Sequence, residues 1–155
     1  MSYENIKTIL ISLILLPSIT LADDLELLCK GEEIKYLEDD SNSKRVITKV
    51  IGIQFYKGGM RLDGVWFDNN IDLTEDYLLE KSYVKSKGNI SGTRNFSTNS
   101  LIEGRKIQTV KIDKVKINTL TNNIFWTHEF DRLDITNAEA NVIYTFRKDF
   151  KGACK

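Results

Sequence analysis

The chain is poor in the residues that usually carry catalysis. It has one histidine, His128, two cysteines, Cys29 and Cys154, and a single proline, Pro17. One imidazole and two sulfurs cannot close a zinc site without carboxylates. No G-x-S-x-G elbow, phosphate-binding glycine loop or H-E-x-x-H segment occurs. These absences remove the common hydrolase, nucleotide-binding and zinc-peptidase signatures, so no catalytic residue, metal ligand or cofactor is assigned. The paired acids Asp23-Asp24 and Asp39-Asp40 lie in polar, turn-like surroundings, where ordinary pKa values are expected and acid catalysis is not. Nor is there an apolar run of the about 20 residues that a membrane-spanning helix needs. Proline is missing after Pro17, so nothing interrupts long strand ladders.

A net charge is missing too: 22 basic residues balance 22 acidic ones. The balance is uneven along the chain, with Asp23 to Asp40 acidic and Lys81 to Lys116 basic. Two solvated surfaces that partly neutralise one another explain this, and a basic groove for an anionic partner is the alternative. Along the sequence the lysines are not interleaved with aromatic stacking residues, so nucleic acid is not an expected partner.

What is present begins at the amino end. Met1 to Lys7 is polar, Thr8 to Leu16 is almost wholly apolar, Pro17 breaks the run, and Thr20-Leu21-Ala22 offers small residues where a signal peptidase reads. Residues 1–22 are therefore expected to be a secretion signal cleaved before Asp23, the chain's only contact with a membrane. No cysteine follows the cut for lipid attachment. Residues 23–155 are expected to form one exported domain, periplasmic or secreted, of roughly 130 residues, enough for a core without further staples. In an oxidising compartment two cysteines pair, which predicts a Cys29–Cys154 disulfide.

The dominant hydrophobic period is two, the mark of strands with one buried face. Val46 to Phe67 reads as a hairpin around Gly58-Gly59, which sets Phe55 opposite Leu62, Ile53 opposite Gly64 and Ile51 opposite Trp66 on the core face. Val50, Val65 and Phe67 then form an apolar set on the other face, to be covered by another segment or a partner. Ile124, Trp126, His128 and Phe130 share a face, as do Val142, Tyr144, Phe146 and Phe150. Parity changes predict bulges or turns near Asp113-Lys114 and Asp131-Arg132. Residues 72–86 fit a strand better than a helix. The sum is an all-β chain: a single antiparallel barrel or closed sandwich of about eight to ten strands. The disulfide would join its ends and lock the edges where the sheet begins and finishes.

Four inward-facing residues, Trp66, Trp126, His128 and Tyr144, are the candidate lining of a ligand cavity for a small apolar molecule. A packed core is the competing interpretation, because a barrel of this size holds either side chains or one ligand. His128, between Trp126 and Phe130, is read as a hydrogen-bonded wall residue.

Leu27-Leu28-Cys29-Lys30-Gly31, with Asp131-Arg132 and Gly152-Ala153-Cys154-Lys155, resembles small exported bacterial proteins of unknown function that open on L-x-C-x-G and end on D-R and G-x-C-K. The resemblance implies a barrel-like fold with joined terminal cysteines and no assigned activity. Gly64-Val65-Trp66 is similar to the G-x-W triplet of lipocalins, though there the triplet opens the first strand. Tyr83 to Gly88 and Ser91-Gly92 are similar to fragments of periplasmic lysozyme inhibitors. The expected function is a non-enzymatic binding or interaction module. The alternatives are an inhibitor of an exported hydrolase such as lysozyme, with Lys85 to Asn95 as its protruding loop, and a lipocalin-like carrier.

Overall fold

A computed structural model describes residues 26–36 and 44–155. The expected signal (1–22), the Asp23-Asp24 and Asp39-Asp40 pairs and the Ser41–Ser43 turn lie outside them. Ten strands follow one another: β1 (Glu26–Tyr36), β2 (Lys44–Tyr56), β3 (Gly59–Leu62), β4 (Val65–Asp68), β5 (Asn70–Thr74), β6 (Tyr77–Ser86), β7 (Asn89–Ile102), β8 (Arg105–Asn118), β9 (Asn123–Asp134) and β10 (Asn141–Cys154). All described neighbours pair antiparallel in the order β4-β3-β2-β1-β10-β9-β8-β7-β6-β5, and the sheet curls into a nearly closed barrel. The 72–86 segment is strand, as its alternation predicted, split by a turn at Glu75-Asp76.

The hairpin after β2 corrects the sequence register. Its turn is Lys57-Gly58, with Tyr56 opposite Gly59, Phe55 opposite Met60 and Ile53 opposite Leu62. Gly58 takes a φ of 88°, so the glycine that supplies the positive angle is the turn's second residue and pairing starts one position earlier. A second reversal then occurs where the sequence suggested a continuous strand. Asp63 and Gly64 have φ values of 46° and 87°, the left-handed pair of a two-residue hairpin turn, and β4 runs back along β3. This turn inverts the expected parity of β4. Trp66 points outward and is 47% exposed, while Phe67 is fully buried and Val65 packs against the core. Of the anticipated outer apolar set, only Val50 is outside.

The bulge or turn predicted at Asp113-Lys114 is absent, and the register shift expected near Asp131-Arg132 falls on the facing strand, β10, rather than on β9. β8 is continuous through Asp113-Lys114 and β9 through Asp131-Arg132, each paired residue by residue. The one register shift in these ladders lies between Val142 and Tyr144 on β10.

Closure occurs between β4 and the pair β6 and β7, through side chains rather than a ladder. The Phe67 ring lies over Gly92, where an added Cβ would come within 2.7 Å of the ring. Lys81 Nζ stands 2.7 Å from Asp68 Oδ1, and the Tyr83 N–H donates to Asn69 Oδ1 at 2.9 Å. The sheet edges are thus β4 and β5. β1 and β10 are neighbours inside the sheet, so the disulfide does not guard an edge as expected; it crosslinks adjacent strands. Cys29 and Cys154 are directly opposite, with Cα atoms 3.9 Å apart, between reciprocal hydrogen bonds of Leu28 and Lys155 and the facing pair Gly31 and Gly152. A Cβ on Gly31 would collide with the Lys151 carbonyl, and one on Gly152 with the Lys30 carbonyl. The spacing of cysteine and glycine at the two ends of the sequence is therefore the footprint of one tight β1–β10 crossing.

Ile51, Ile53, Phe55, Met60, Leu62, Phe67, Ile90, Val115, Ile117, Ile124, Trp126 and Phe150 join the disulfide in one buried cluster. Each fully buried large side chain of this kind stabilises the fold by roughly 1.5–3 kcal/mol before entropy is counted. The cluster fills one end of the barrel. β3 and β4, four residues each, wall only that end, whereas β7, β8 and β10, fourteen residues each, continue past it.

Candidate ligand-binding face

Successive side chains on a strand alternate between faces, so the core residues identify which parity points inward. Following that parity beyond the core, the ladder registers stack the inward residues in cross-strand rows. The last apolar row crosses β6 to β10 as Tyr83, Gly92, Val115, Trp126 and Phe150, and it meets Glu33 on β1. Next comes a charged row: Lys81, Arg94, Asp113, His128, Lys148, Lys35 and Arg45 from β6 round to β2. Above it lie Leu79, Phe96, Lys111, Phe130 and Phe146, and then Tyr77, Thr98, Thr109, Arg132 and Tyr144. The interior thus passes from apolar plug to charged belt to a wall of rings and cations.

Two buried carboxylates organise the belt. Asp113 has no exposed surface, and its Oδ1 accepts from Trp126 Nε1 at 3.2 Å and pairs with His128 Nδ1 at 2.8 Å. Its Oδ2 is buried without a hydrogen bond, the nearest cation being Arg94 at 3.6 Å. Glu33 is 3% exposed and stands among three lysines: Lys35 and Lys49 at 3.5 Å and Lys148 at 3.9 Å. Burial pulls the Lys49 pKa down, but its hydrogen bond to Asp63 and the charges of Asp63 and Glu33 more than offset this, leaving it raised. Burial also raises the phenols of Tyr83 and Tyr56.

The wall above is partly exposed, and its rings and cations are knitted together. Phe130 meets Tyr144 edge-on at 5.8 Å, His128 meets Phe146 at 6.4 Å and Tyr77 meets Phe96 at 5.5 Å. Lys111 Nζ lies 5.5 Å from the Phe96 centroid and 5.7 Å from that of Phe130, Arg94 also covers Phe96, and Lys148 covers Trp126. Aromatic and basic residues are therefore interleaved after all, across strands rather than along the sequence. Among the described residues, no carboxylate lies within ion-pair distance of Lys111 or Arg132.

Of the four residues expected to line a cavity, three share this face at different depths. Trp126 is part of the plug and 3% exposed, His128 belongs to the belt, and Tyr144 stands at the rim, 43% exposed. Trp66 does not join them: it sits on the outer surface against Tyr56, beneath Arg61. The interior at the plug end is packed, as the competing interpretation held. Sequence reasoning missed Asp113, Arg94, Phe96, Lys111 and Phe146 as site residues. Asp113 was legible in principle, because it has the same parity as the core residues Val115 and Ile117.

Chemically, the His128–Asp113 pair has the form of an oriented imidazole. Its carboxylate is neither of the nearby acids Glu129 and Asp131 but a residue from the adjoining strand. Among the described residues, no hydroxyl or thiol is hydrogen-bonded to the ring, and no cluster of three or more His, Cys, Asp or Glu is placed to hold a metal ion. A shallow groove of about 260 Å³ also lies at the plug end, bordered by Leu27, Leu28, Gly52, Arg61 and Gly64. Compared with known proteins, the chain matches no family model, no curated protein and no solved structure.

Proposed function

We propose that this is an exported, non-enzymatic binding module that receives a small amphipathic ligand on the open part of its inner face. The observation that carries the proposal is the row Leu79, Phe96, Lys111, Phe130 and Phe146: five inward-facing side chains, four of them apolar, left partly exposed beyond the closed core. Partly exposed apolar side chains gathered beside convergent polar groups are how small-molecule sites are built. The disulfide is compatible with export. The Lys85 to Asn95 segment forms a tight hairpin, Ser86 pairing with Asn89 across Lys87-Gly88.

The uncharged fluorophore N-phenyl-1-naphthylamine tests the proposal. Its emission should rise on binding, and the rise should be abolished by Phe130→Glu and retained by Trp66→Ala, on the outer surface. No enhancement with the wild-type protein, or enhancement unaffected by Phe130→Glu, would remove the proposal.

A further inference from the structure

The open face has a sign as well as a polarity. Its charged belt and wall carry Lys35, Arg45, Lys81, Arg94, Lys111, Arg132 and Lys148 against Asp113, with Glu33, Lys49 and Asp63 below the belt, Asp68 beside Lys81 and Asp134 in the row beyond Arg132. Glu33 alone serves three lysines, and Lys111 stands over the Phe96 and Phe130 rings. Starting from the proposed ligand-binding role, we infer that the natural ligand class is an amphiphile with a single anionic head, of the long-chain carboxylate type. Its chain would lie along Phe96, Phe130 and Phe146, and its head would meet Lys111 and Arg132.

Three features select this chemistry. First, cations without a carboxylate partner beside half-exposed rings favour an anion, because binding then adds a charge-assisted contact without breaking an existing ion pair. Second, the rings touch one another edge to face and their faces are taken by Lys111 and Arg94, so they offer an apolar wall rather than a free platform on which a nucleobase could stack. Third, the inward groups at this level are rings, cations and the hydroxyls of Tyr77, Thr98, Thr109 and Tyr144, without the array of amides and carboxylates that the many hydroxyls of a sugar would need.

The test displaces N-phenyl-1-naphthylamine with dodecanoate and, in parallel, with uncharged dodecanol, on the wild-type protein and on Lys111→Met and Arg132→Met. Methionine keeps an unbranched apolar side chain while removing the charge. Dodecanoate should displace the probe about tenfold more effectively than dodecanol, the increment of roughly one such contact. Each methionine variant should narrow that ratio several-fold by weakening dodecanoate, while dodecanol and the probe bind at least as tightly as to the wild type because methionine adds apolar surface beside the rings. Added salt should narrow the ratio in the wild type. Equal displacement by the two amphiphiles, or a ratio indifferent to both substitutions, would overturn the inference while leaving the binding role standing. Failure of the probe itself to bind would overturn both.

Discussion

The Asp113 carboxylate is the most informative single group to remove. It has no exposed surface, it accepts from the Trp126 indole and pairs with His128, and Arg94 stands 3.6 Å from its other oxygen. Asp113→Ala strands a buried indole N–H, which costs about 1–3 kcal/mol. It also takes the counter-charge from Arg94 and the hydrogen-bond partner from His128. Breaking a fully buried pair costs about 3–5 kcal/mol, but the Arg94 side chain is 28% exposed, so only a fraction of that applies. Together the loss should be about 3–4 kcal/mol, a large share of the 5–15 kcal/mol typical of a domain. Asp113→Asn keeps an oxygen for the indole and should lose only about 1–2 kcal/mol. Urea denaturation followed by far-ultraviolet circular dichroism measures both, with a lower midpoint and an unchanged slope expected. If Asp113→Ala fell within about 1 kcal/mol of wild type, the carboxylate would have to be solvated and the description of the belt as a buried, organised layer would be wrong.

Other perturbations probe the remaining links. Replacing Cys29 and Cys154 by alanine opens a loop of sequence separation 125 and should cost about 5 kcal/mol in the chain-entropy model; a denaturation midpoint equal to that of the oxidised protein would show that the β1–β10 ladder alone fixes the crossing. Gly92→Ala pushes a methyl into the Phe67 ring and should lose about 1–3 kcal/mol, part of it recovered in the double variant with Phe67→Leu; additive losses would show that the ring is not the obstacle. At alkaline pH, Tyr36 is held above its ordinary value of 10.0, first by its hydrogen bond to Asp149 and then by burial. Because the neutral phenol is the favoured form, this stabilisation is complete below the ordinary value and is lost as pH rises through the raised one. Tyr56, Tyr83 and Lys49, all raised, act in the same direction. Melting temperature should therefore fall above about pH 10, and Tyr36→Phe should make the fall shallower; an unchanged slope would mean that the Asp149 hydrogen bond contributes nothing.

Much of the architecture could be read from alternation alone, because an inward strand face repeats every second residue whatever it packs against. That is why the strand count and the shared faces of Ile124 to Phe130 on β9 and of Tyr144, Phe146 and Phe150 on β10 were recoverable; Val142 was misplaced, because the register shift before Tyr144 sets it opposite Leu133, on the other face. The misplaced bulges share one cause. Each predicted bulge was inferred from a change of apolar parity, on the assumption that inward positions are apolar throughout. In β8 the inward positions are Ile107, Thr109, Lys111, Asp113, Val115 and Ile117, so the strand is regular and its interior changes polarity. The candidate site was hidden in the same place, since polar inward residues look like outward ones until neighbouring strands are aligned. At Asp63-Gly64 the opposite happened: a real reversal left the apolar alternation of Leu62 and Val65 to Phe67 superficially unbroken, and Trp66 was assigned to the wrong face.

The two ends of the barrel therefore carry different burdens. The disulfide, the Gly31–Gly152 crossing, the Phe67–Gly92 closure and the buried cluster all lie at or below the row of Trp126 and Phe150. Phe96, Lys111, Phe130, Arg132 and Tyr144 lie two rows or more above it and belong to none of these devices. A fold secured at one end can leave partly exposed rings and unpaired cations at the other without drawing on them for stability. The charged belt separates the two regions, and Asp113 links them, since it bonds downward to Trp126 and sideways to His128 in its own row. Substitutions in the upper wall should consequently alter ligand binding with little change in unfolding free energy, whereas those at Asp113 should alter both.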